Sequence, residues 1–99
     1  MPTFQLSEKA MDDLRAIARY TQEKWGRDQR NKYLYMLDAG FNAIAQQPEI
    51  GIACDYIRIG YRKHPVGRHL IFYRQSGDRI IIVRILHERM DLPNQLEKA

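Results

Sequence analysis

From Ser7 to Gln47 the apolar residues return at helical spacing, and after Gly51 they return at every second position. That change of period constrains the fold more than any other feature of the chain. In the first segment Ala10, Leu14, Ile17, Ala18, Thr21 and Trp25 fall on one helical stripe. Tyr33, Met36, Leu37, Gly40, Phe41, Ile44 and Ala45 fall on a second. Ser7 has the chemistry of an N-cap, and Glu8 follows in the first turn, where a carboxylate suits the helix dipole. Gly26 ends the first helix, a second begins near Asp28, and Pro48 stops it. A connection of about two or three residues forces the pair into an antiparallel hairpin. A glycine in mid-helix costs about 1 kcal/mol relative to alanine, so Gly40 is expected to admit a close helix crossing.

Strands flank the hairpin. Thr3 to Leu6 alternates polar and apolar and predicts a short strand. Beyond Gly51, Tyr56 to Arg62 puts Ile57, Ile59 and Tyr61 on one face and Tyr56, Arg58 and Arg62 on the other. His64-Pro65-Val66-Gly67 reads as a turn, Arg68 to Arg74 as a strand, and Ser76-Gly77-Asp78 as a second turn. Arg79 to Leu86 is nearly continuous in apolar residues and predicts a central strand. The predicted fold is α+β and a single domain over 1–99: a strand in 1–6, a helical hairpin in 7–47 on one face of a small antiparallel sheet, a three-stranded meander in 55–87, and a tail in 88–99.

One hairpin covers one sheet face. If Ile57, Ile59 and Tyr61 face the helices, registry adds His69, Ile71, Tyr73, Ile81, Val83 and Ile85 to that side. Arg58, Arg62, Arg68, Leu70, Phe72, Arg74, Ile80, Ile82 and Arg84 are left for the open face, arginines among apolar residues with no acid. Such a mixture is the usual makeup of an interface. Charge placement agrees. Residues 51–99 hold nine Lys/Arg against five Asp/Glu, whereas residues 1–50 hold seven of each, so the whole excess lies in the sheet half. Met90, Leu92 and Leu96 in the tail are expected to pack on the domain, and Pro93 argues against one long helix there.

Several function classes are excluded. The longest apolar run is Ile80 to Val83, too short for a membrane span, and MPTFQLSEK lacks the pattern of a secretory leader. Cys54 is the only cysteine, which rules out an internal disulfide and suits a reducing, cytoplasmic setting. His64, His69 and His87 match no metal-ligand spacing, no glycine-rich phosphate loop exists, and no cofactor is expected. His69 reads as a core residue with a satisfied ring nitrogen and His64 as a turn residue; Trp25, Tyr33, Tyr35 and Phe41 read as core. Direct nucleic-acid binding is not expected, since no recognition-helix pattern accompanies the basic half.

The stretches His64-Pro65-Val66-Gly67-Arg68-His69-Leu70-Ile71-Phe72-Tyr73-Arg74 and Ile82-Val83-Arg84-Ile85-Leu86-His87-Glu88-Arg89-Met90-Asp91, with Lys24-Trp25-Gly26 and Gln47-Pro48-Glu49-Ile50-Gly51, resemble the ParE branch of the RelE/ParE toxin superfamily. The resemblance implies a toxin of a bacterial toxin–antitoxin pair that poisons DNA gyrase by binding. A ParD-like antitoxin would hold it inactive in a hetero-oligomeric complex, its C-terminal segment wrapped round the toxin. Arg58, Arg62, Arg68, Leu70, Phe72, Arg74, Ile82, Arg84, Met90 and Leu92 are the expected partner-binding residues. The RelE branch instead cuts messenger RNA on the ribosome without a metal. Three positions before Tyr73, where such nucleases carry arginine, this chain has Leu70, and no tyrosine follows Tyr73. A nuclease would have to rely on Arg84, His87 and Arg89, so a non-enzyme is expected.

Overall fold

The structure, a computed structural model, describes residues 3–90. In chain order it contains β1 (Thr3–Leu6), α1 (Glu8–Trp25), α2 (Arg27–Gln46), a 3-10 turn (Pro48–Ile50), β2 (Ile52–Ala53), β3 (Arg62–Val66), β4 (His69–Ser76) and β5 (Arg79–His87). The sheet order is β1-β5-β4-β3-β2. The expected α+β layout is observed, but the sheet is mixed, because β1 lies parallel to β5 while the other pairs are antiparallel. The tail beyond residue 90, with Leu92 and Leu96, lies outside the described residues.

Ser7 joins strand to helix. Its Oγ accepts the Ala10 amide at 3.0 Å and donates to the Val83 carbonyl at 2.8 Å, while its amide donates to the Ile82 carbonyl at 3.0 Å. The cap therefore also ties the start of α1 to β5. Gly26, with φ of 92°, is the single residue between α1 and α2, a tighter link than expected. A side chain is disfavoured at that φ, which is why glycine makes the reversal. The hairpin buries Ala10, Ile17, Leu37, Phe41 and Ile44 against Ile71, Tyr73, Ile80, Ile82 and Ile85. Met36, Trp25 and Tyr35 depart from the core assignment. Trp25 and Tyr35 are 65% and 77% exposed because they fall at the helix end and off the stripe. Gly40 packs α2 on the sheet rather than on α1, since a Cβ there would meet Val66 Cγ2 at 2.7 Å.

The first predicted meander strand is displaced. Residues 56–61 form turns, and the strand is Arg62–Val66, so His64, Pro65 and Val66 are extended rather than a turn. β2 reaches only to Lys63, so Pro65 sits where that flank of β3 has no strand partner and its missing N–H breaks no ladder. The reversal is made by Gly67 and Arg68 alone, with Val66 opposite His69 and Gly67 at φ 56°.

The faces of β5 are also exchanged over part of its length. Phe72 pairs with Arg84 and Tyr73 with Ile82, which leaves Val83 as an extra residue. Beyond this bulge Ile85 faces the helices as expected, but before it Ile80 and Ile82 do so, and Ile81 and Val83 turn to the other face. Strict alternation extrapolated back from Ile85 assigns these four residues to the wrong sides.

Where β1 ends, Asp13 of α1 continues the edge of β5. Its carboxylate accepts the Ile85 amide at 3.0 Å and the Arg84 guanidinium at 2.8 and 2.9 Å. The two side chains are 15% and 13% exposed, so a lone guanidinium would be left poorly hydrated. Breaking one side of such a pair costs about 3–5 kcal/mol. Asp13→Ala should therefore lower unfolding stability by about that amount in urea melts, and Asp13→Ala with Arg84→Met should recover part of the loss.

Candidate functional site

The second sheet face is not open. Residues 54–61 form a closed loop over it. The Cys54 amide donates to the Tyr61 carbonyl at 2.9 Å, the Ile57 amide to the Cys54 carbonyl at 3.0 Å, and the Tyr61 amide to the Arg58 carbonyl at 3.1 Å. Asp55 accepts the Gly60 amide at 2.8 Å. The loop turns Cys54, Tyr61 and Ile57 inward against Phe72, Val83 and Leu86, with Leu70 and Ile81 at the margin. Ile57 and Tyr61 thus pack on the face opposite the expected one, and Ile59 is 89% exposed. Burial raises the Cys54 thiol pKa above its ordinary value, with Lys63 opposing, which argues against a reactive thiolate.

The expected partner-binding residues separate accordingly. Phe72 is fully buried beneath the loop, and Ile82 is fully buried on the helix side. Arg84 is half-buried and joined to Asp13, so it belongs to the α1–β5 junction. Its pKa is raised, first by the hydrogen bond from Asp13, against the cost of burial. Arg62 donates to the Gly51 carbonyl at 2.8 Å and has a structural task. It supports the segment that Tyr73 also anchors, by donating to the Pro48 carbonyl at 2.7 Å and accepting the Gly51 amide at 2.8 Å. Burial above all raises the Tyr73 pKa, so the phenol stays protonated to donate. Arg58, Arg68, Arg74 and Met90 are exposed. Arg68 precedes β4 and Arg74 lies six residues later, about 20 Å along a strand, so these cations do not converge on one site.

What the structure does bring together is the outer side of the loop and the adjoining β2 edge. Tyr56 is 73% exposed, Ile59 89% and Ile52 65%. Lys63 donates to the Tyr56 hydroxyl at 3.1 Å and lies 5.8 Å from that ring, and the Arg58 guanidinium lies 5.8 Å from the Tyr61 ring. The aromatic faces hold the cations in place at the surface. Asp55 is the only acid between residues 50 and 63, and the Gly60 amide occupies its carboxylate. This is an apolar surface with fixed positive charge, suited to an acidic amphipathic segment. The sequence signal for it was the pair Tyr56 and Ile59 on opposite sides of a presumed strand, which strand alternation could not place on one surface.

The residues of the alternative nuclease set do not converge either. Arg84 is engaged by Asp13, and the Nδ1 of His87 accepts the Arg89 amide at 3.1 Å. His69 is half-buried with its Nδ1 2.5 Å from the Tyr33 hydroxyl, as the reading of a satisfied ring nitrogen requires. Tyr33 also receives the Arg68 amide at 3.2 Å. Sequence reasoning missed both Tyr33 and Asp13 as polar anchors, since each lies beside an apolar stripe. Among the described residues no group of three or more His, Cys, Asp or Glu is placed to hold a metal ion, and no helix is long and apolar enough to cross a membrane.

A solved structure described as the chromosomal ParDE TA system from P. aeruginosa shares this fold, with a TM-score of 0.76 over 88% of this chain and 96% of that one. At 21% identity, that likeness establishes the class of fold. Residues 4–92 match the family described as "ParE toxin of type II toxin-antitoxin system, parDE", and the chain belongs to that family. Toxin ParE1 of Mycobacterium tuberculosis is 44% identical over 94 residues, covering 94% of this chain and 96% of the relative. Toxin ParE1 of Caulobacter vibrioides is 37% identical over 92% of this chain and 94% of its own length. Toxin ParE of Escherichia coli is 33% identical over 97% and 94% respectively.

The burial pattern makes opposite demands of two aspartate substitutions. Phe72→Asp places an uncompensated carboxylate in a closed core and should abolish two-state folding, as read by circular dichroism. Ile59→Asp should change unfolding stability by no more than about 0.5 kcal/mol.

Proposed function

We propose that this chain is a cytoplasmic toxin that inhibits DNA gyrase by binding, and that a ParD-like antitoxin neutralises it. The observation that carries the reading is the family match over residues 4–92, supported by relatives that are all toxins of the ParE name. A binding rather than catalytic mode fits the engagement of Arg84 by Asp13 and the leucine at position 70. Leu70 cannot stabilise the charge of a phosphorane, and an arginine already neutralised by a carboxylate is a poor substitute. The antitoxin segment would lie on the outer side of the 54–61 loop, where Tyr56, Ile59 and Ile52 supply apolar contact and Arg58 and Lys63 supply charge. Exposed Arg74 would extend the positive field and speed encounter more than it adds affinity.

Expression in bacteria, with DNA breakage and protein synthesis followed separately, tests the reading. DNA damage signalling should precede any fall in translation. An immediate stop in translation with cleaved messenger would instead establish a nuclease. Ile59→Asp and Arg58→Glu, both folded, should weaken antitoxin binding by about tenfold or more, measured by calorimetry. Unchanged affinity in both would move the antitoxin to another surface.

A further inference from the structure

The two half-buried histidines at the end of the sheet are left unused by the reading above. His69 and His87 are cross-strand partners in the β4–β5 register, with ring centroids 5.4 Å apart and planes at 83°. Tyr33 of α2 meets the far side of His69, its ring 5.5 Å away. The next residues fasten themselves to this pair. The Glu88 amide donates to the Arg68 carbonyl at 3.0 Å, the Arg89 amide to His87 Nδ1 at 3.1 Å, and the Met90 amide to the His87 carbonyl at 3.0 Å.

We propose that His69 and His87 form a proton-operated latch: with both rings neutral, residues 87–90 are fastened to the β3–β4 turn, and a proton entering the pair releases them.

The two rings respond differently to a proton. The Tyr33 hydroxyl has one hydrogen and two acceptors in reach, His69 Nδ1 at 2.5 Å and the Val66 carbonyl at 3.3 Å. With neutral His69 the hydroxyl donates to Nδ1. With charged His69 the ring would donate to the tyrosine oxygen and the hydroxyl would turn to Val66. That contact survives either state. The His87 contact does not, because a charged ring sets an N–H against the Arg89 N–H.

The groups around His69 come from every packed element. They are Tyr33 from α2, Asp13 from α1, Arg68 from the turn, and His87 and Glu88 from the end of β5. Burial, and then the adjacent His87 ring, push the His69 pKa below its ordinary value, against the pull of Asp13 and Glu88. Asp13 is already committed to Arg84 and Ile85. His69 therefore resists charge, and the entering proton is carried on His87, with Arg89 and Glu88 beside it in the chain. The lowered folded-state value means that the unfolded chain binds the His69 proton more readily. The contribution of His69 to stability is thus full above about pH 6.5 and is lost as the pH falls below it.

Amide hydrogen exchange on the full chain tests the latch, with rates corrected for the intrinsic effect of pH. Between about pH 7.5 and about pH 5.5 the protection of Glu88 and Arg89 should fall by about tenfold, while that of Ile71 stays constant. In His87→Asn the amide oxygen can accept the same N–H and cannot take a proton, so protection should persist at both pH values. No fall in the wild type, or an equal fall in His87→Asn, would overturn the proposal. Imidazole titration of the wild type by NMR gives a check independent of the variant. The Glu88 and Arg89 amide shifts should follow the His87 titration, and amide shifts indifferent to it would equally overturn the latch.

Discussion

The extra residue at Val83 in β5 is the constraint on which the rest of this structure depends. Because of it, one strand serves two cores, giving Ile80, Ile82 and Ile85 to the helices and Val83 and Leu86 to the opposite side. The bulge lies where β1 has ended, beside Asp13 on α1, and Arg84 is turned to reach that carboxylate. A regular strand would place Ile80 and Ile82 on the face away from the hairpin and would leave the hairpin without its two most deeply buried β5 contacts. Each of those isoleucines contributes about 1.5–3 kcal/mol by burial, so the irregularity is favoured over the regular strand.

The second core follows from the first. Once Val83 and Leu86 join Phe72 on the far face, that face has an apolar centre that water would cover at a cost, and the 54–61 loop closes over it with Cys54, Ile57 and Tyr61. The same closure decides where a partner can bind. Residues of the loop that do not point inward, Tyr56, Arg58 and Ile59, are raised above the sheet on a backbone held by its own hydrogen bonds. A surface built on an ordered loop asks less ordering entropy of its partner than a flexible one would.

Much of this was legible in the sequence, for identifiable reasons. The two helical stripes are long, and Ser7, Gly26 and Pro48 mark their limits through local chemistry, so the hairpin could be read directly. The α+β class and β1 were equally accessible. The strand faces were not. Alternation is a local rule, and a bulge is fixed by tertiary pairing, so nothing near Val83 announces the exchange. Pro65 and Gly67 suggested a turn of four residues, where the sheet needed only Gly67 and Arg68 because β2 is too short to require the Pro65 amide. The candidate site inherited these errors. Phe72 and Ile82 were assigned to an open face that does not exist, while the exposure of Ile59 was hidden by its place in an apparent strand.

The central claim is that the 54–61 loop seals the second face of the sheet and is itself the outward surface. The thiol of Cys54 reports on it directly, since it is the only cysteine and is completely buried beneath the loop. Its rate of reaction with a disulfide reagent in native buffer, relative to the denatured chain at the same pH, is the measurement. A sealed face predicts labelling slowed by about a thousandfold or more, limited by opening of the loop. Labelling within about tenfold of the denatured rate would mean that the face is open, and the partner surface would then return to the sheet.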